Sequence, residues 1–176
     1  QEYNVSLSGG SEKATYYTSL GYYDEKGNVK GVEADRLNMV LKTSYKVNKM
    51  LKVGASLFAN RRTNKSNLTD SDGFSNPVYY SRRANPYQTP FDEDGNYVYD
   101  IDIQGKGDSD LKFNVFEERN NTSYEQTTNA LSAIFDVELR FNDKFKATSQ
   151  VGLQLDAVSK ESIADHDTYC LLYTSD

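Results

Sequence analysis

The 176 residues contain one cysteine, one histidine, three prolines and no tryptophan. One cysteine cannot close an internal disulfide, so no disulfide framework holds this chain. The single histidine, His166, lies between two aspartates with no nucleophile or second ligand nearby in sequence, and it reads as part of a solvated loop. No apolar run approaches the roughly 18 residues that a transmembrane helix needs. Hydrophobic content is 37% and mean hydropathy is −0.74. That shortage does not count against a membrane β-barrel, whose signal per segment is much weaker. Positive charge is also in deficit: 20 Lys and Arg face 26 Asp and Glu, for a net charge of −6. Nucleic-acid binding calls for a basic domain surface, so no nucleic-acid partner is expected. No phosphate-binding glycine loop and no zinc-ligand spacing occurs.

What is present is period-2 alternation. In residues 36–62, Leu37, Met39, Leu41, Thr43 and Tyr45 share one strand face, with Arg36, Asn38, Lys42, Ser44 and Lys46 on the other. A polar turn follows at 47–50. Then Leu51, Val53, Ala55, Leu57 and Ala59 oppose Lys52, Gly54, Ser56 and Asn60. Val40 and Phe58 break the pattern. Successive strand side chains point to opposite faces, so these rows predict a hairpin rather than a helix. Each arm is about 10–12 residues long, against a usual mode of about 5–6 in globular sheets, and a tilted bilayer crossing takes about 9–11. On this hairpin alone, a soluble sheet with one wet face and a lipid-facing barrel wall fit equally well.

The same alternation predicts strands at 3–10, 14–23, 129–141 and 145–157. The last two are the cleanest, with Leu131, Ala133, Phe135, Val137, Leu139 and Phe141 on one row. Connections after the first, third and fifth strands are tight turns. Those at 24–35 and 63–127 are longer, the second of them very long and rich in aromatics. Short turns at one rim and long loops at the other are the pattern of outer-membrane barrels, and a soluble sandwich has no reason to follow it. The expected fold is all-β: an antiparallel up-and-down meander of about six strands, part of a transmembrane β-barrel, with one long extracellular loop at 63–127. A short helix is expected within 76–85, with Pro77 in its first turn.

Three stretches, YNVSLSGGSEKATYYTSLGYYDEKGNVKG (3–31), DRLNMVLKTSYKVNKMLKVGASLFANR (35–61) and NPVYYSRRANPYQTPFDEDGNYV (76–98), resemble the barrel of the SusC/RagA family of TonB-dependent outer-membrane transporters. The resemblance runs from about residue 3 to 157, and the order of the three stretches makes it specific. It implies a bacterial outer-membrane location and a role in importing oligosaccharides or peptides. It also implies a SusD-like surface lipoprotein as lid, TonB as the energy-coupling partner through a plug, and outer-membrane lipid around the wall. Only about six of some 22 strands are represented. Together with a start at Gln1, this leads to the expectation that residues 1–169 are a barrel fragment. Residues 170–176 (CLLYTSD) resemble read-through of a sequencing adapter, so no chemistry is assigned to Cys170.

The candidate ligand or lid contacts are Tyr79, Tyr80, Arg82, Arg83 and Tyr87. Aromatic faces stack on sugar rings and arginine forks hydrogen-bond to polar ligands, although the same residues also suit packing of the loop onto a rim. Asp92-Glu93-Asp94 and Asp70-Ser71-Asp72 miss the spacing of a calcium loop, and Asp94-Gly95-Asn96 reads as a turn. Glu117 and Glu118, read as strand neighbours, would face opposite ways and make no glycosidase pair. The Asn-x-Ser/Thr triplets at Asn67, Asn120 and Asn121 carry no weight in a bacterial protein. No catalytic residue, metal or cofactor is expected, and the protein is not read as an enzyme. The alternative function is a soluble β-rich glycan-binding or adhesin module, in which the apolar rows would be covered by another sheet.

Overall fold

The computed structural model describes residues 1–67, 76–100, 112–166 and 168. Six strands form one antiparallel sheet in simple chain order: β1 (Glu2–Gly10), β2 (Ala14–Lys26), β3 (Glu33–Lys46), β4 (Leu51–Ser66), β5 (Thr122–Arg140) and β6 (Lys146–Ala164). Two short helices, α1 (Pro77–Ser81) and α2 (Val115–Asn121), lie between β4 and β5. The all-β meander expected from alternation is therefore observed, with β1 and β6 as its edges.

Contacts divide the chain into two compact units. The first holds 1–26, 33–64 and 126–159, the body of the sheet. Its register follows from the alternation. Val5 lies opposite Leu20, and Leu20 opposite Met39; one step along, Leu7 meets Thr18 and Thr18 meets Leu41. Directly opposed residues point to the same face, so the apolar rows line up across strands. The reverse face carries Asn4, Gly21 and Asn38 in one row, and the Asn60 amide donates to Asn38 on that side. Arg140 N–H donates to Met50 O, and the Thr63 and Thr127 hydroxyls meet at 3.4 Å. These contacts fit one β4–β5 register, which sets Ala55 opposite Phe135 and Leu57 opposite Ala133. Phe58, the exception in its strand, stays on the polar face and lies under the Lys42 ammonium, 5.3 Å from its ring centre.

The strands reach further than the alternation suggests. β2 and β3 extend through Asp24↔Asp35 and Lys26↔Glu33, so the connection between them is 27–32 rather than 24–35. β4 runs to Ser66 and β5 starts at Thr122, which narrows the long connection from 63–127 to 67–121. In these end segments both faces are polar, so period 2 vanishes while the backbone ladder continues.

The sheet unit has no hydrophobic core. Among the described residues the buried hydrophobic side chains are Phe113 and Val115, both outside it. Val5, Leu20, Met39, Leu131 and Leu155 are all exposed, Leu155 by 69%. Leu20, Leu37, Met39, Ala59, Leu131 and Leu155 border an open apolar depression of about 640 Å³. No second sheet covers this face among the described residues.

The second unit holds 27–32, 65–125 and 160–176. Its centre is Phe113, against which the Tyr80 ring packs at 5.6 Å.

Candidate functional site

The five candidate contact residues cluster around α1. Asn76 is its N-cap: the side-chain oxygen accepts from Val78 N–H (3.0 Å) and Tyr79 N–H (3.3 Å), and Pro77 occupies the first turn, where no N–H is needed. The expected short helix is thus present at Pro77–Ser81. It splits the two tyrosines. Tyr79 receives the Arg83 guanidinium 4.5 Å from its ring centre. Tyr80 turns inward, packs on Phe113 and donates from its hydroxyl to Asp100 Oδ2 at 2.8 Å. Burial, then the bond to Asp100, push the Tyr80 phenol up to about 12. Asp100 is itself only 3% exposed.

Arg82 and Arg83 are exposed. Tyr87 is 95% exposed, on a turn in which Asn85 Oδ1 accepts from Tyr87 N–H (3.1 Å) and Gln88 N–H donates to Asn85 O (3.1 Å). A fully exposed aromatic on a hydrogen-bonded turn gains nothing from its own fold, and it is the side chain here most available to another molecule. The structure therefore separates the five. Tyr80 anchors the loop, Tyr79 and Arg83 form one stacked pair, and Arg82 and Tyr87 face water. Tyr80, Ala84, Gln88, Val98, Asn114 and Phe116 border a cleft of about 180 Å³.

Beneath the cleft lies a residue that the sequence reading passed over. Asn114 is 4% exposed and uses its whole side chain. Its amide nitrogen donates to Pro90 O and Val98 O, both at 2.8 Å. Its oxygen accepts from Phe116 N–H (2.9 Å) and Glu117 N–H (3.3 Å), capping α2. The signal was available, because Asn three residues before a Glu and next to an apolar pair is a helix-start pattern. The reading of Glu117 and Glu118 as strand residues is corrected by the same helix. They are consecutive on α2, splayed by about 100°, with Glu118 buried and Glu117 half-buried.

Asp92 holds its own turn. One carboxylate oxygen accepts from Asp94 and Asn96 N–H (3.0 and 2.7 Å), and the other from the Asn96 amide (2.9 Å). Its carboxyl is held below the usual carboxylate range by the Asn96 amide first and the Asn96 N–H second. Gly95 takes φ +84° there, a conformation suited to glycine. Phe91 and Tyr97 bridge on either side of this turn, their rings 5.5 Å apart. His166 is exposed, with its ring Nδ1 2.5 Å from Asp165 Oδ1. The cluster Asp70-Ser71-Asp72 and Cys170 lie outside the described residues.

No family model matches the chain. Among curated proteins it is similar to TonB-dependent receptor P39 of Formosa agariphila, with 32% identity over 95 residues. The match covers 54% of this chain and 9% of that receptor, so the chain matches only a small part of its relative's length. An exposed apolar face on an antiparallel meander and a sequence similar to a TonB-dependent receptor over about half of the chain point the same way.

Proposed function

We propose that this chain supplies part of the wall and extracellular surface of a TonB-dependent importer in a bacterial outer membrane, of the SusC/RagA kind, that takes up oligosaccharides or peptides. In this reading a SusD-like lipoprotein caps the barrel, and TonB drives transport through a plug. The carrying observation is the face of Val5, Leu20, Met39, Leu131 and Leu155, exposed and unpartnered among the described residues. Each such side chain gains about 1.5–3 kcal/mol when removed from water, and lipid provides that removal without a second sheet. The dimension also fits. The apolar row Leu51–Ala59 of β4 spans about 27 Å along the strand at ~3.4 Å per residue. A tilt of about 40° leaves about 20 Å of bilayer normal, and flanking aromatics bring this near the usual band of about 25 Å. Tyr3 and Tyr22 stand opposite each other at one border, and Tyr45 lies toward the other. Arg82, Arg83 and Tyr87 then serve as the exposed contacts for substrate or lid, with Tyr79 and Tyr80 shaping the loop that presents them.

The test is Phe135→Arg in the intact gene product, folded into lipid vesicles. An arginine on the lipid face near the midplane costs about 2–4 kcal/mol, whereas Ser132→Arg on the polar face should leave assembly near the parent's level. Equal effects of the two would sink the membrane reading and favour a soluble glycan-binding module.

A further inference from the structure

Charge is distributed very unevenly along this acidic chain. From residue 36 to residue 69 there are eight Lys and Arg and not one Asp or Glu, which leaves 12 cations against all 26 acids elsewhere. This carboxylate-free stretch covers most of β3 and all of β4. Its cations on the polar face mostly have company. Arg36 lies over the Tyr23 ring at 5.4 Å, Lys42 over Phe58, and Arg62 Nε donates to Asn64 at 3.1 Å. At the tight-turn end, Glu138 takes Arg140 (3.3 Å) and Lys146 (3.9 Å). Lys46, Lys49 and Lys52 have no carboxylate within ion-pair distance among the described residues. With Met50, Glu138 and Arg140 they border a depression of about 390 Å³. Asp136 and Glu138 share a neighbouring hollow with Lys52.

We propose that this depression seats a segment of acidic polypeptide lying against the polar face of the sheet. The proposal rests on the barrel reading only in placing that face toward the inside of a wall. Three arguments select the partner. The lysines come from a strand end, a turn and a strand start, on flexible stems. That suits distributed charge along an extended chain more than a single phosphate held by converging donors. Lys46 and Lys52 lie opposite the apolar rows, away from any lipid that those rows would meet. A nucleic acid carries a denser row of charge and calls for a basic surface more extensive than three lysines beside Asp136 and Glu138. Each exposed lysine–carboxylate pair is weak alone, so the contact is multivalent and falls with salt.

The chain carries two methionines, and they make the experiment. Met39 sits on the apolar face, while Met50 borders the lysine depression. The intact gene product would be made in cells with a photoreactive diazirine analogue of methionine, illuminated, and its crosslinks mapped by mass spectrometry. Met50→Leu and Met39→Leu assign each crosslink to its source. The expected product at Met50 is a peptide rich in Asp and Glu. Its yield should fall on the order of tenfold in Lys46→Gln/Lys49→Gln/Lys52→Gln, recover in the triple Lys→Arg variant, and fall when hexaglutamate, but not hexaglutamine, is added to the detergent-solubilised protein. Crosslinks to a neutral or basic peptide, to nucleic acid or to lipid, or a yield indifferent to the lysines, would overturn the proposal. The Met39 crosslink reads the barrel independently: lipid acyl chains support it and protein contradicts it, whichever way Met50 falls.

Discussion

Single residues decide the second unit. Asn114 ties Pro90, Val98 and the start of α2 together through four hydrogen bonds. Asn114→Ala strips the cap from the helix start and removes one bond each from Val98 O and from Pro90 O, which keeps the Val98 N–H donor, at about 0.5–1.5 kcal/mol for each bond lost. The expected result is loss of hydrogen-exchange protection across α2 and the Asp92–Asn96 turn, with the strands unchanged; protection equal to the parent's would refute the role. Asn114→Asp should recover the cap but not the two donated bonds. Tyr80 supplies a pH signature. Its phenol is raised to about 12 in the fold, against an ordinary value of 10.0. The folded state therefore holds the proton that the unfolded state gives up first. The associated stability is complete below about pH 10 and is lost as pH rises toward about 12. Tyrosinate absorbance, compared between the parent and Tyr80→Phe, should show one late-titrating tyrosine; a Tyr80 that ionises with the exposed tyrosines would remove the anchor assignment. At this scale the sequence was only partly readable. It marked Tyr79, Tyr80, Arg82, Arg83 and Tyr87 as a group, but an aromatic that faces Phe113 and one that faces water look alike in a string of letters. Asn114 matters because of Pro90 and Val98, whose approach depends on the folded loop.

At the scale of elements, alternation is what made the fold legible. Wherever one face is apolar and the other polar, the strand was legible, and the observed register keeps those faces aligned, because a slip of one residue would exchange them. Legibility failed where that contrast ends. The ends of β4 and β5 that lead into the long connection are mostly polar on both faces, and only backbone pairing, with contacts such as Thr63 to Thr127, shows that they continue. α2 was missed for a different reason. Seven residues provide too few turns for a helical period to emerge, and the cap is its main signature. The β4–β5 pairing makes its own prediction. A Cβ at Gly54 would overlap the Asp136 carboxylate on the polar face. Gly54→Val should cost about 1–3 kcal/mol through displacement of that carboxylate, and Asp136→Ala should restore most of it. Additive losses in the double variant, measured by urea unfolding in lipid, would show that the two residues do not meet.

At the scale of the whole molecule, the sheet is a surface looking for an environment. Its apolar face is open, its polar face is charged, and among the described residues only the loop unit buries hydrophobic side chains. Such a sheet is stable only where something covers the apolar rows, which is why Phe135→Arg tests the assembly and not merely one strand. The edges impose a further requirement. β6 is 19 residues long, with β5 on one side and no further strand beside it among the described residues. Every second residue of an edge turns its N–H and C=O outward, so β6 offers about nine or ten such pairs. In engineering terms this is a half-closed zipper with its teeth exposed. A separately expressed strand of matching alternation, added in trans during refolding, should dock along β6 and restore protease resistance to its 146–164 segment, while a scrambled strand of equal composition should not. The edge that makes the chain prone to stick to itself is also the seam along which it can be cut and rejoined.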